Sequence, residues 1–193
     1  MTGTVNLIHR KPIVGLLAIQ GDFAMHRQAV ESLGFETSEV RTVEELLCVD
    51  CLIMPGGEST TMRKIMKLDG LWEEIPRFAR DRAIMGTCAG LILLGRKIIG
   101  GKDSEDTLGL IDIDVDRNAY GSQYHSFRSV GEVTLNGNPH LREMVFIRAP
   151  QIVRIGPDVA KLGEDQGLPT IVRQGNVLAL TFHPEMTGTI FVV

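Results

Sequence analysis

Apolar residues run unbroken in the first part of the chain and alternate with polar ones in the last. Residues 13–19 (Ile13-Val14-Gly15-Leu16-Leu17-Ala18-Ile19) carry no polar side chain. That pattern suits a strand buried on both faces of a parallel sheet. Gln20-Gly21-Asp22 predicts a turn. Residues 23–33 predict a helix, with Phe23, Ala29, Val30 and Leu33 at helical spacing and Gly34 as the residue that stops it. A short strand is expected over 37–40. Thr42 then caps a helix through Leu47, with Glu44 and Glu45 in its first turn. Cys51-Leu52-Ile53-Met54 reads as a third strand closed by Pro55-Gly56-Gly57. Glu58-Ser59-Thr60-Thr61 opens a helix to about residue 67, residues 71–80 form another, and Ala83-Ile84-Met85 is a fourth strand.

This alternation of strand and helix argues for an α/β fold, three layers α/β/α around a central, mostly parallel sheet. The second half changes character. Residues 111–116 and 130–135 alternate, and 145–147, 152–155, 170–173 and 177–182 are further strand candidates, punctuated by Asn136-Gly137-Asn138 and Gln174-Gly175-Asn176. Such turns predict antiparallel hairpins, placed at one edge of the sheet. Residues 95–107 read as a polar loop. No repeat or linker divides the chain, so a polar tail (1–11) followed by one domain (12–193) is expected.

In open α/β sheets the site lies beyond the carboxyl ends of the strands. The loops after Ile19, Met54 and Met85 are therefore the ones to search for chemistry. The last delivers Gly86-Thr87-Cys88-Ala89-Gly90, a G-x-C-x-G version of the nucleophile elbow. Gly86 and Gly90 lack Cβ atoms where a strand turning at once into a helix crowds itself. The sulfur would sit near a helix N-terminus, which favours a thiolate. A buried structural cysteine fits this stretch almost equally well.

A cysteine nucleophile needs a base and a group that orients it. Of five histidines, His9, His26, His125 and His140 read best as solvated side chains. His183 directly follows an apolar strand and is held by Pro184, with Glu185 two residues on. In extended chain that spacing puts both side chains on one side, so Glu185 can reach one imidazole nitrogen and leave the other for Cys88. Gly56 and Gly57 expose backbone N–H groups after a strand. Together with the N–H of Ala89, that of Gly57 suits an oxyanion hole. A phosphate loop is disfavoured, for there is no Lys at the P-loop position and no G-x-G-x-x-G. Cys48 and Cys51 form a C-x-x-C without a second ligand pair, and packing is the better reading of both.

Composition narrows the classes further. The chain has 193 residues, 44% of them hydrophobic and 23% charged, with a net charge of -4 and a pI near 5.7. No basic surplus points to nucleic acid. No apolar run approaches the ~20 residues that span a bilayer, and no secretory h-region opens the chain. Three cysteines without an extracellular signature fit free thiols in a reducing, cytoplasmic setting.

From Val14 to about Thr187 the chain resembles the class I (triad) glutamine amidotransferases, which have a flavodoxin-like fold, and among them the glutaminase subunits of pyridoxal 5′-phosphate synthase. The resemblance is carried by residues 15–22, by Pro55-Gly56-Gly57-Glu58-Ser59-Thr60-Thr61, by residues 86–94, by Asp116-Arg117-Asn118-Ala119-Tyr120-Gly121, by Phe146-Ile147-Arg148-Ala149-Pro150 and by Thr181-Phe182-His183-Pro184-Glu185. It implies Cys88 as nucleophile, His183 as base and acid, and Glu185 as orienter. It implies a glutamine site lined by Gly56, Gly57, Glu58, Arg117, Ile147 and Arg148. Two arginines suit a zwitterion whose carboxylate takes a charge-assisted partner; read without the resemblance, each is better taken as a surface ion pair. It further implies L-glutamine as substrate and no cofactor or metal. The partner it implies is a synthase subunit that receives the ammonia, with glutaminase subunits arranged around a synthase core. Two departures stand out: Gly121-Ser122-Gln123 replaces the usual Gly-Arg-Gln, and residues 186–193 are too short and β-branched for the usual closing helix. The expectation is a sheet face left uncovered. A cysteine peptidase of related fold and a non-catalytic interaction subunit remain the competing readings.

Overall fold

A computed structural model describes residues 11–100, 106–117, 119, 126–135 and 137–188. The first half keeps to the alternation of the sequence: β1 (Ile13–Leu17), α1 (Phe23–Ser32), β2 (Glu36–Val40), α2 (Val43–Leu47), β3 (Cys51–Met54), α3 (Ser59–Leu68), α4 (Leu71–Phe78), β4 (Ala83–Thr87) and α5 (Ala89–Leu94). Three helices begin where a side chain satisfies the open N–H groups of a first turn. Asp22 accepts from Met25 N. Thr42 and Glu45 form a reciprocal capping box. Glu58 accepts from Thr60 N and Thr61 N.

β2, β1, β3, β4 and β12 (Val177–Leu180) form the parallel part of a nine-stranded sheet. It continues antiparallel through β11 (Leu168–Gln174), β10 (Ala160–Asp165), β7 (Ser126–Leu135) and β8 (Asn138–Ile147). β7 and β8 pair antiparallel, as do β11 and β12 on either side of the turn at 175–176, as hairpins on one side of the sheet.

Two expectations need correction. Residues 111–116 do not extend this sheet: β6 (Ile113–Asp116) lies between β5 (Lys97–Ile99) and β9 (Gln151–Ile155) in a separate three-stranded sheet. Alternation marks which face is buried but not which partner covers it, and Asp114 is itself buried, held by Arg96 at 2.7 Å. β5 also occupies part of the stretch read as loop. The polar strand Ala160-Lys161-Leu162-Gly163-Glu164-Asp165 escaped notice because its pairing with β11 and β7, not its side chains, makes it a strand.

The core lies on both faces of the sheet. One side packs Met62 and Met66 of α3, Leu71 and Ile75 of α4 and Leu91 of α5 against the strands and the small sheet. The other gathers Val14, Leu16, Ile53, Met85 and Leu178 with Val30, Phe146 and Phe182. The second face is thus buried where a bare one was expected. Residues 189–193 lie outside the described residues, as do Asn118, Tyr120, the Gly121-Ser122-Gln123 departure, His125 and the first ten residues with His9.

Candidate active site

Cys88 sits between β4 and α5 with φ 49° and ψ -102°, a backbone that L residues rarely adopt. Its N–H donates to Leu180 O at 2.9 Å, which ties the elbow to β12. The glycines on either side are fixed by crowding. A Cβ on Gly86 would fall 2.5 Å from Leu94 Cδ1, and one on Gly90 only 2.1 Å from Met54 O. The turn therefore holds the sulfur at the sheet's carboxyl edge, with Sγ 3.9 Å from Ile147 O.

β12 carries the chain to the same edge. His183 N donates to Val145 O at 2.9 Å, and Pro184–Thr187 then closes a 3₁₀ turn. His183 Nδ1 lies 2.7 Å from Glu185 Oε1. The pair meets as expected, but not through extended chain. The 3₁₀ turn, entered from His183 at φ -105° and ψ 87°, swings the carboxylate back under the ring. Burial opposes charge on His183, yet Cys88 and Glu185 together push it up to about 10. Nε2, the nitrogen not bound to Glu185, is buried on the side of the Cys88 sulfur, which is the largest influence raising His183. Burial likewise opposes ionisation of Glu185, but the His183 hydrogen bond, with the His26 and His183 rings beside it, holds it below its ordinary value. At neutral pH the arrangement is an imidazolium between a sulfur and a carboxylate, which can exchange one proton with a bound substrate.

The loop after β3 closes over this pair. A Cβ on Gly56 would lie 2.5 Å from His183 Cε1 and 3.4 Å from Cys88 Cβ, so one point of backbone touches both residues. The Gly56 carbonyl is turned toward Gly21, where a Cβ would come within 1.9 Å of it. The N–H of Gly57, on the same planar trans peptide, points the opposite way. Glu58 is engaged as the α3 cap, accepting from Thr61 N at 2.7 Å and Thr61 Oγ1 at 2.5 Å. Arg117, at the end of β6, donates to Thr60 Oγ1 at 3.3 Å beside that cap. Arg148 comes directly after Ile147, with φ 45° and an exposed side chain. Cys88, Ala89, His183, Glu185, Gly56, Gly57 and Ile147 are thus brought together directly. Glu58 and Arg117 share the adjoining helix start.

Two residues went unnoticed in the sequence. Gln20 Oε1 accepts from Glu58 N at 2.6 Å and braces the glycine loop. His26 is not solvated but fully buried, with Nε2 3.2 Å from both Thr87 Oγ1 and Glu185 Oε2. A signal existed: His26 falls between Phe23 and Ala29/Val30 on the inward stripe of α1. Among the other cysteines, Cys48 is exposed rather than packed. Cys51 is half-buried, its thiol pushed up by burial and then by Asp50. Among the described residues no three His, Cys, Asp or Glu side chains are grouped to hold a metal ion, and no helix is long and apolar enough to cross a membrane.

The chain is similar to known proteins over most of its length. The model of the SNO glutamine amidotransferase family matches residues 16–192. The chain is 46% identical over 175 residues to the "Pyridoxal 5'-phosphate synthase subunit PdxT" of Oenococcus oeni, covering 91% of this chain and 90% of that one. It is 45% identical to the protein of the same name from Koribacter versatilis, covering 91% and 88%. A crystal structure of a glutamine amidotransferase superposes with a TM-score of 0.84 at 43% identity, covering 91% of this chain and 92% of that chain. The PurLQS structure from Thermotoga maritima shares the fold, with a TM-score of 0.70 at 21% identity.

Proposed function

The chain belongs to the SNO glutamine amidotransferase family, and on that basis we propose that it hydrolyses L-glutamine to L-glutamate and ammonia as the glutaminase subunit of pyridoxal 5′-phosphate synthase. The single observation that carries the mechanism is the convergence of Cys88, His183 and Gly56 at one point, with Glu185 2.7 Å behind His183.

Cys88 Sγ attacks the side-chain amide carbon as the thiolate, its proton already on His183. The oxygen of the tetrahedral intermediate takes hydrogen bonds from the N–H groups of Gly57 and Ala89; one such donor is typically worth on the order of 10²–10³ in rate. His183 gives its proton to the departing nitrogen, the C–N bond breaks, and ammonia leaves a glutamyl thioester on Cys88. The acylated sulfur no longer carries charge, and part of what kept His183 protonated is gone. His183 can then take a proton from water as it attacks the thioester, and return it to the sulfur as glutamate departs. Glu185 holds the ring in one orientation throughout. Arg117 and Arg148 bind the α-carboxylate of glutamine, with Glu58 and the backbone at Ile147 completing its site.

The ammonia is delivered to a synthase subunit, with glutaminase subunits placed around a synthase core in the cytoplasm. No cofactor takes part in the glutaminase step. The test is ammonia release from glutamine by the full chain with the synthase subunit, for the parent and Cys88→Ala. The parent is expected to turn over and the variant to lose turnover while still co-purifying with the synthase. Retained turnover in Cys88→Ala would overturn the mechanism. A parent that co-purifies but releases no ammonia would mark a non-catalytic interaction subunit.

A further inference from the structure

Glu185 is almost wholly buried, yet among the described residues only one of its two carboxylate oxygens, Oε1, has a hydrogen-bond partner. The terminal torsion of a glutamate is broad and roughly two-fold, so a single contact does not fix it. Its second oxygen, Oε2, lies 3.2 Å from Nε2 of His26, on α1. The same Nε2 lies 3.2 Å from Oγ1 of Thr87, the residue before Cys88. An unprotonated nitrogen beside a carboxylate would set acceptor against acceptor, so the proton of the neutral ring belongs on Nε2. His26 Nδ1 is then buried without a partner among the described residues.

We propose that His26 is a positioning residue of the glutaminase reaction: its Nε2, hydrogen-bonded to Thr87 Oγ1 and 3.2 Å from Oε2 of Glu185, keeps that oxygen turned toward α1 by off-axis electrostatic attraction, so that Oε1 stays on His183 Nδ1 and the His183 ring stays aimed at Cys88. This rests on the glutaminase reading above. The charged and titratable groups bearing on His26 are Glu185, His183 and Asp22, and burial is the largest influence, keeping the ring neutral. Neutrality matters physically. A neutral donor orients the carboxylate without cancelling its charge, which remains available to stabilise the imidazolium of His183. The bridge also ties three elements into one frame: α1, the β4 elbow and the 3₁₀ turn.

Two variants of the full chain, assayed with the synthase subunit, separate this role from core filling. His26→Gln keeps an N–H donor near the place of Nε2, whereas His26→Leu keeps bulk and removes the donor. Partners of this outer kind typically change activity by about 10–100-fold, and a fall in kcat of that order is expected for His26→Leu, with an unchanged KM for glutamine. His26→Gln should recover most of it. In parallel, imidazole ¹⁵N–¹H spectra without substrate should show the His183 Nδ1 proton shifted and broadened in His26→Leu but retained in His26→Gln. Should His26→Leu fail to fold, His26→Asn takes its place, since its amide stops short of Nε2, and the same slow kcat is expected. Parent-like kcat in the donor-less variant, equal impairment with and without the donor, or an unmoved His183 proton would each overturn the proposal. If instead the parent releases no ammonia, the glutaminase reading fails, and the spectra still decide whether His26 orders the pair.

Discussion

A side chain at Gly56 would reach within 2.5 Å of His183 Cε1. The glycine loop and the His183 ring therefore share a contact surface with no room for a methyl group. Gly56→Ala should displace the ring from its place beside Cys88. A misplacement of that order far exceeds what proton transfer tolerates, and a loss of about 10²-fold in kcat is expected. The fold should survive, since the group to be moved is the far end of a side chain. Steady-state ammonia release alongside a thermal melt separates the two effects.

The backbone of Cys88 carries a cost independent of its chemistry. At φ 49° and ψ -102°, any residue with a Cβ is strained, typically by about 1–3 kcal/mol. Cys88→Gly and Cys88→Ala should both be inactive, but the glycine variant should melt higher. Glycine's greater unfolded-state entropy offsets part of the relief, leaving about 1 kcal/mol, or roughly 2–4 °C for a chain of this size. Differential scanning calorimetry of the two variants reads this directly; an alanine variant melting at or above the glycine one would show that the elbow is not strained.

The charge state of His183 makes the protein's pH response asymmetric. Its folded pKa is raised from an ordinary 6.5 to about 10, so the stabilisation is full below 6.5 and is lost as pH rises through about 10. Glu185 is shifted down from 4.5, so its contribution is present above that value and is lost as pH falls. The alkaline limb of kcat/KM should accordingly lie near 10 and not near 6.5. In Glu185→Gln, which keeps the shape but removes the charge, that limb should move to lower pH. A pH–rate series on the two proteins measures both.

Part of this molecule is written locally. The unbroken apolar run at 13–19, the cap residues Asp22, Thr42 and Glu58, and the glycines around Cys88 act on their own neighbours in the chain. Strand, helix and elbow can therefore be read from them, and the family resemblance rests on the same stretches. His183 and Glu185 are legible as a pair because a single residue, Pro184, lies between them, which keeps them within one turn. Even there the route differs, since Pro184 begins a 3₁₀ turn and the backbone does not stay extended.

What the sequence by itself determined is the kind of each element and which residues could do chemistry, because periodicity and capping depend on covalent neighbours. The tertiary structure alone decided who faces whom. It set Arg96 against Asp114 in a second sheet, Gln20 under the glycine loop, the Ile147 carbonyl beside Cys88, and His26 behind Glu185. A helical stripe says that His26 points inward. Only the packing of α1 against the sheet's carboxyl edge says that what lies inward is the carboxylate that orients His183.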